Sequence, residues 1–403
     1  MKARFFLSVG FVALAACQTY DFQPVPSFTA TQHDAALDMK ATTLPPNIMV
    51  LIDKSDSMNE LVSPGKNVDG SANPACTKEA CTDTGYCPNT CSTRINELRD
   101  AMKVFLPESL EISKEDPRPL GKFGLTLFPS DDYCAPPSNV EIGLVASDED
   151  ADLKAQIGKV QKYIDEKLYN SNDNGKPING GTPTGDSLRY LLQNVPALKD
   201  KDRKSFILLL TDGLPNCNPS VRQSDCGAEN VCRCTLYGKE GLCTAQNNCE
   251  DSLGCLDNFG TVNVIRELHN EGIGTIVIGF GVEQGAPSID AKAVLDAMAL
   301  AGGVNPTHFP AKDKASLLAV LRNLREVFEE LPCTFKLSGQ VSDPSLISVH
   351  VDEQRINPGD NTYSYNKELN AVVFAEAGEL CARLKKSSNK NPVALRITVL
   401  QTF

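Results

Sequence analysis

The segment DKSDS at residues 53–57 crowds two aspartates and two serines into five positions, directly behind the apolar run IMVLI of residues 48–52. An apolar run of that length followed by polar turn residues reads as a buried strand leaving the core. Asp53, Ser55 and Ser57 then lie just past its carboxyl end, where alternate residues of an extended turn can aim their oxygens at one point. Two further segments share this setting. GGTPTG (180–185) brings Thr182 to the head of a helical pattern, and TDG (211–213) puts Asp212 directly after the run FILLL of residues 206–210. Hydroxyls and carboxylates without nitrogen or sulfur are the donors hard cations take. Alone, D-x-S-x-S is a polar turn; three oxygen-bearing segments at one sheet edge favour a cation site.

Other chemistries find less support. The four histidines, His33, His269, His308 and His350, fall in separate segments, and neither H-E-x-x-H nor G-x-S-x-G nor a Walker phosphate loop occurs. GFGVEQG (279–285) has the wrong glycine spacing for a dinucleotide fingerprint and reads as a structural turn. NSNDNG (170–175) lacks the closing glutamate of a calcium loop and reads as a surface turn. No general base or nucleophile accompanies the oxygen cluster, so no enzyme activity is expected. A net charge of −12 argues against nucleic acid or anionic lipid as a partner.

The elements that must position these oxygens alternate along the chain. After IMVLI, the residues Ile95, Leu98, Met102 and Phe105 share one helical face, and FGLTLF (123–128) is the next strand. Ser147 opens an S-x-x-D cap ahead of a helix carrying Leu153, Ile157, Val160 and Ile164. Helices around 184–194, 258–270, 289–300 and 314–330 alternate with strands FILLL, TIVIGF (275–280) and 307–310. Strands apolar on both faces, separated by helices, predict a doubly wound, mostly parallel α/β sheet. Ligands in such sheets sit at the carboxyl ends of the strands, where the strand order reverses. On this reading the site's side chains stand at the rim rather than in the core.

Taken together, Asp53, Ser55, Ser57, Thr182 and Asp212 resemble the metal-ion-dependent adhesion site of von Willebrand factor A domains. That family pairs D-x-S-x-S with a distant threonine and a distant aspartate in this chain order, and the resemblance spans roughly residues 46–331. It implies that Ser55, Ser57 and Thr182 give hydroxyls directly to a divalent cation, while Asp53 and Asp212 act largely through bound water. Mg²⁺ is the first expectation, with Mn²⁺ or Ca²⁺ as the other hard cations. Mostly neutral direct donors leave the ion much of its charge and one position for an outside oxygen, which the carboxylate of a protein partner fits. Asp56 departs from the family, whose bacterial members commonly have glycine there; its backbone geometry and its effect on metal affinity are left open.

The N-terminus and the cysteines speak to compartment. Lys2 and Arg4 precede the short apolar stretch FFLSVGFVALAA, and Leu14-Ala15-Ala16-Cys17 resembles the lipobox of bacterial lipoproteins. Residues 1–16 are then a signal peptide, Cys17 the lipidated mature N-terminus, and residues 17–45 that cysteine with a flexible tether. Anchoring would rest on acyl chains, and Gln18 leans towards the outer membrane, periplasmic or surface-exposed. Of fifteen cysteines, setting Cys17 aside leaves an even fourteen, as pairing in an oxidising space requires. The clusters contain no C-x-x-C and no histidine, which disfavours zinc.

Two cysteine-rich insertions, 59–91 and 214–256, follow the first strand and FILLL and should frame the metal face. The second holds seven cysteines, an odd number, so at least one pairs outside it. If the other groups close internally, Cys134 is the one left over, and Cys217, near the same sheet edge, is its natural partner. Beyond the A domain (46–331), residues 332–403 carry short alternating runs and read as a small antiparallel β module in which Cys333 and Cys381 pair. Two functions follow: an envelope lipoprotein that binds a protein through a metal-bridged carboxylate, or a scaffold subunit of an envelope or secretion assembly whose metal is mainly structural.

Overall fold

A computed structural model of the chain describes residues 37–40, 45–81, 88–111, 119–130, 133–168, 180–200, 203–221, 232–235, 241–242, 249, 253–281, 289–328, 333–337, 341, 343–385 and 393–399. Cys17 and the turn 170–175 lie outside these residues.

The chain's first described strand is β1 (Leu37–Lys40). The central sheet is built from β2 (Asn47–Asp53), β3 (Lys122–Phe128), β4 (Ser205–Thr211), β7 (Ile273–Phe280) and β8 (Phe309–Ala311). β5 (Arg233–Cys234) and β6 (Gly241–Leu242) form a separate ribbon in the second insertion. The central strands pair in parallel in the order β3-β2-β4-β7-β8. Ile142, bridged antiparallel to Leu125, covers the β3 edge.

Helices α1 (Arg94–Glu108), α2 (Asp150–Lys167), α3 (Thr184–Asn194), α4 (Asn258–Asn270), α5 (Ala291–Gly302) and α6 (Lys314–Phe328) cover both faces. Along β2, Ile48, Val50 and Ile52 enter a core shared with α1, α2 and α6. Met49 and Leu51 enter the opposite core, against α3, α4 and α5. This two-residue alternation with both faces covered explains why the run is apolar throughout. β3 and β4 flank β2 on opposite sides, so the strand order reverses at β2 and opens a crevice beyond its carboxyl end.

Helix α2 begins later than the S-x-x-D pattern suggested. Its N-cap is Glu149, and the Ser147 hydroxyl accepts from the Glu149 amide at 3.1 Å in a turn before the helix. A serine so placed satisfies its neighbour locally instead of capping.

The C-terminal elements are β9 (Thr334–Lys336), β10 (Ile347–Val351), β11 (Gln354–Ile356), β12 (Tyr363–Asn366), β13 (Ala371–Phe374), α7 (Glu379–Lys385) and β14 (Leu395–Val399). They form antiparallel sheets β12-β13-β9 and β1-β14-β10-β11. Phe335, Val349, Phe374, Leu384 and Ile397 share their core, and Cys333 is bridged to Cys381. β1 falls within residues 17–45, which the sequence reading gave wholly to a tether. Its backbone pairs with β14 from Leu37↔Val399 to Lys40↔Arg396. A four-residue strand whose partner lies at the far end of the chain leaves no local signature.

Candidate metal centre

Asp53 is the last residue of β2, and its side chain is fully buried. Two donors hold its carboxylate: the Ser55 amide at 2.8 Å on Oδ1, and the Thr211 hydroxyl at the end of β4 at 2.6 Å on Oδ2. Ser55 is extended (φ −65°, ψ 169°) and leads into a 3-10 turn over Asp56–Asn59, which turns Ser57 back toward the crevice. Asp56 starts that turn, is exposed, and is not among the residues with positive φ, so this position does not require glycine.

The hydroxyls form a chain. Ser57 Oγ donates to Asp212 Oδ1 at 2.8 Å, so the 3.2 Å contact between Ser55 Oγ and Ser57 Oγ has Ser55 as donor. Thr182 arrives on the double glycine. Gly180 has φ +116°, which L side chains avoid, and a Cβ on Gly181 would stand 2.6 Å from Cys217 Sγ. Asn216 then clamps Thr182 from both sides, its Oδ1 accepting the Thr182 amide at 2.6 Å and its amide donating to the Thr182 carbonyl at 3.0 Å. A Cβ on Gly213 would lie 3.5 Å from Ser57 Oγ and 3.7 Å from Thr182 Oγ1, so both hydroxyls face the same space. The five residues singled out in the sequence come together at the crevice. They do not stand at a rim: Asp53, Ser55, Thr182 and Asp212 are all buried.

Arg94 was not singled out from the sequence. It opens α1, and its Nη1 donates to Asp212 Oδ2 at 2.6 Å while Nη2 meets Glu60 Oε2 at 2.8 Å. The available signal was a cation in the first turn of a helix, where the dipole disfavours it and carboxylate partners are therefore implied. Asn216 was also missed; nothing in its local sequence marks it.

Burial, reinforced by the neighbouring Asp212 charge, raises the Asp53 carboxyl to about 7. Burial also raises Asp212, against the lowering effect of Arg94 and the Ser57 hydrogen bond. Burial opposes the Arg94 charge, but Asp212 and Glu60 outweigh it and hold the guanidinium protonated. Three carboxylates thus face one guanidinium, and the imbalance together with the oxygen-only donor set fits a hard divalent cation. Both Asp212 oxygens already accept hydrogen bonds, which suits a role one shell away from such an ion.

The sulfur atoms of Cys232, Cys249 and Cys255 also cluster, but Cys232–Cys255 and Cys234–Cys249 are disulfides and offer no thiolate. Cys134 is bridged to Cys217, and Cys76 to Cys91. No helix among the described residues is long and apolar enough to cross a membrane.

Fold and site together define a doubly wound α/β protein with a buried cluster of oxygen donors at its topological switch point. Among solved structures, the chain is similar to the pilus adhesin SpaC of Lactobacillus rhamnosus GG, at 16% identity and TM-score 0.43, over 89% of this chain and 39% of that one. It is also similar to proximal thread matrix protein 1 of the mussel byssus with a zinc-occupied MIDAS motif, at 13% identity and TM-score 0.37, over 73% and 51%. A third is the minor pilin PilB of Streptococcus sanguinis, at 20% identity and TM-score 0.37, over 70% and 61%. The chain therefore spans less than two thirds of each. No protein-family model and no curated protein sequence matches it.

Proposed function

We propose that the protein is a cell-envelope lipoprotein, anchored through Cys17, whose A domain binds a protein partner through a carboxylate bridged by a divalent metal. The observation that carries this reading is the convergence of Ser55, Ser57 and Thr182 hydroxyls on one space, backed by the buried Asp53 and Asp212 carboxylates. The hydroxyls would hold the cation and the two aspartates would orient them and balance its charge. When bound, the metal supplies a Lewis-acidic position for an external carboxylate oxygen. Mg²⁺ is the proposed ion, and the role is binding rather than catalysis. The disulfides support an oxidising compartment.

The test is capture of proteins from envelope extract by the immobilised chain, with Mg²⁺ or in metal-free buffer. Ser57→Ala and Thr182→Ala should each abolish Mg²⁺-dependent capture while keeping the parental melting temperature within a few degrees. Equal capture with and without metal, unchanged in both variants, would refute adhesion and favour the scaffold reading. For the anchor, Cys17→Ser should lose acyl labelling and release the protein from membranes; retention in high salt would refute lipidation.

A further inference from the structure

Beside the metal centre lies a cavity of about 680 Å³, within the size range of small-molecule and peptide side-chain sites. Its floor is the carboxyl end of β7 and β8, at Gly279 and Pro310, and one wall is the start of the first insertion, at Leu61 and Val62. That wall belongs to the folded body. Leu61 bridges Thr93, the Arg94 amide donates to the Glu60 carbonyl at 2.9 Å, and Lys66 is clamped to Asp313 at 2.8 Å. A compact doubly wound domain without the insertion would lack this enclosure.

The lining is cationic in a chain that is strongly acidic. Arg94, Lys292 and Lys312 line the cavity against a single carboxylate, Asp296. Each cation stands at or just before the first turn of a helix (α1, α5 and α6), where the dipole adds positive potential. Arg94 is matched by Asp212 and Glu60, and Lys292 by Asp296. Lys312 is exposed, and its ammonium has no partner among the described residues. The ends of α5 and α6 are capped internally: Asp290 accepts the Ala293 amide at 3.0 Å, and Asp313 accepts the Ser316 amide at 2.9 Å. The side chains, rather than bare backbone amides, are therefore what the cavity offers.

His308 supplies the second polar contact. It lines the cavity, is 6% exposed, and has its ring Nδ1 at 2.7 Å from Asp296 Oδ1. Its amide donates to the same oxygen at 3.0 Å, which fixes the ring against the carboxylate. With Nδ1–H given to Asp296, Nε2 is the ring nitrogen left without a partner among the described residues.

We infer that this cavity is a second ligand site that takes a carboxylate carried on a small apolar body. Lys312 pairs with the carboxylate, His308 Nε2 accepts a hydrogen bond from a donor group elsewhere on the ligand, and Val62 and Pro310 cover the apolar part. The carboxylate could come from a free small molecule or from an acidic side chain of a peptide. The inference does not rest on the metal reading, because none of Lys312, His308 and Val62 belongs to the oxygen cluster.

The test uses the full chain with its disulfides intact, in buffer stripped of divalent metal so that a metal-bridged carboxylate makes no contribution. Glutarate and a short glutamate-containing peptide are titrated separately while the histidine ring signals are followed by NMR. Only four histidines occur, so His308→Gln assigns its signal. One or both probes should shift the His308 ring resonances saturably, and the stronger of the two identifies the source of the carboxylate. Lys312→Gln should weaken that binding about tenfold, whereas Lys367→Gln, in the C-terminal module, should leave it unchanged. No saturable shift with either probe, equal affinity in Lys312→Gln, or binding that appears only when Mg²⁺ is added would overturn the assignment. The last result would give the carboxylate to the metal centre instead.

Discussion

Replacing the Cys134–Cys217 bridge by serines at both positions should weaken the protein in two separable ways. The bridge closes a sequence separation of 83 residues, for which the chain-entropy relation gives about 4.5 kcal/mol of stabilisation through the unfolded state. Residual structure in the unfolded chain makes that figure a ceiling, so a loss of about 2 to 4 kcal/mol is expected in urea denaturation. The melting temperature should fall by roughly 10 °C. The second effect is local. Cys217 packs against Gly181, and its neighbour Asn216 makes both hydrogen bonds that hold Thr182. Freeing this loop means that a residue or two must be reordered on metal binding, at about 1 kcal/mol or more each. Mg²⁺ affinity, read by calorimetry, should therefore drop at least fivefold. A double variant that unfolds within about 0.5 kcal/mol of the parent would refute the entropic account. Lost stability with unchanged Mg²⁺ affinity would refute the coupling to Thr182.

Arg94→Gln leaves the buried Asp212 without its guanidinium, and breaking such a pair costs about 3 to 5 kcal/mol; melts without metal should show that loss, and saturating Mg²⁺ should regain part of it. Proton competition at the raised Asp53 carboxyl sets the pH profile of metal binding. Apparent Mg²⁺ affinity should fall about tenfold per pH unit below about 7 and level off above it, as measured by titration across buffers. Asp257, at the N-cap of α4, is raised from 3.8 to about 6 by burial, with the Asp186 charge adding to it. An acid raised on folding stabilises below its unfolded pKa and loses that contribution as pH rises through the folded value. Asp257→Asn should accordingly flatten the stability loss between about pH 4 and 6 and, because solvent screens a partly exposed carboxyl, gain on the order of 1 kcal/mol at neutral pH. An unchanged slope in urea titrations would rule this out.

The parts of the fold that were legible are those whose signal is local. IMVLI and FILLL are buried on both faces, so their composition alone marks central strands, and the polar residues that end them mark the switch point. What was not legible depends on distant partners. β1 needs β14, and Arg94 acquires its meaning only from Glu60 and Asp212, which the fold brings to it across the first insertion and from β4. Helix α7 in the C-terminal module was missed because its seven residues are too few for periodicity to separate from an apolar turn; Cys381 and Leu384 become a buried face only against the sheet. In GFGVEQG, Gly279 and Phe280 end β7 and Gly281 follows at φ +72°, where a Cβ would stand 2.7 Å from Arg94 Nε, so the glycine serves the buried arginine rather than a phosphate.

The two insertions are joined to the candidate metal centre at their roots, which changes what variation in them should do. The first (59–91) starts on the 3-10 turn that carries Ser57, and Thr93, just past its end and one residue before Arg94, is bridged back to Leu61. The second leaves through Asn216 and Cys217 and returns where the Asp257 amide donates to the Pro215 carbonyl at 2.9 Å, closing its neck beside α3 and α4. Cys217 is further tied to Leu253 through its amide at 2.8 Å. Tips behave differently. Around Asp69, the Ser71 amide and hydroxyl satisfy the carboxylate on an exposed turn, and the half-buried Asn73 donates to Asn67, with no bond from these residues to the oxygen cluster among the described residues. Surface substitutions of that kind usually move stability by less than about 0.5 kcal/mol. On the proposed binding role, specificity would vary at the tips while the roots hold Ser57, Thr182 and Arg94 in place, and the cavity walled by Leu61 and Val62 lies on the root side of that division.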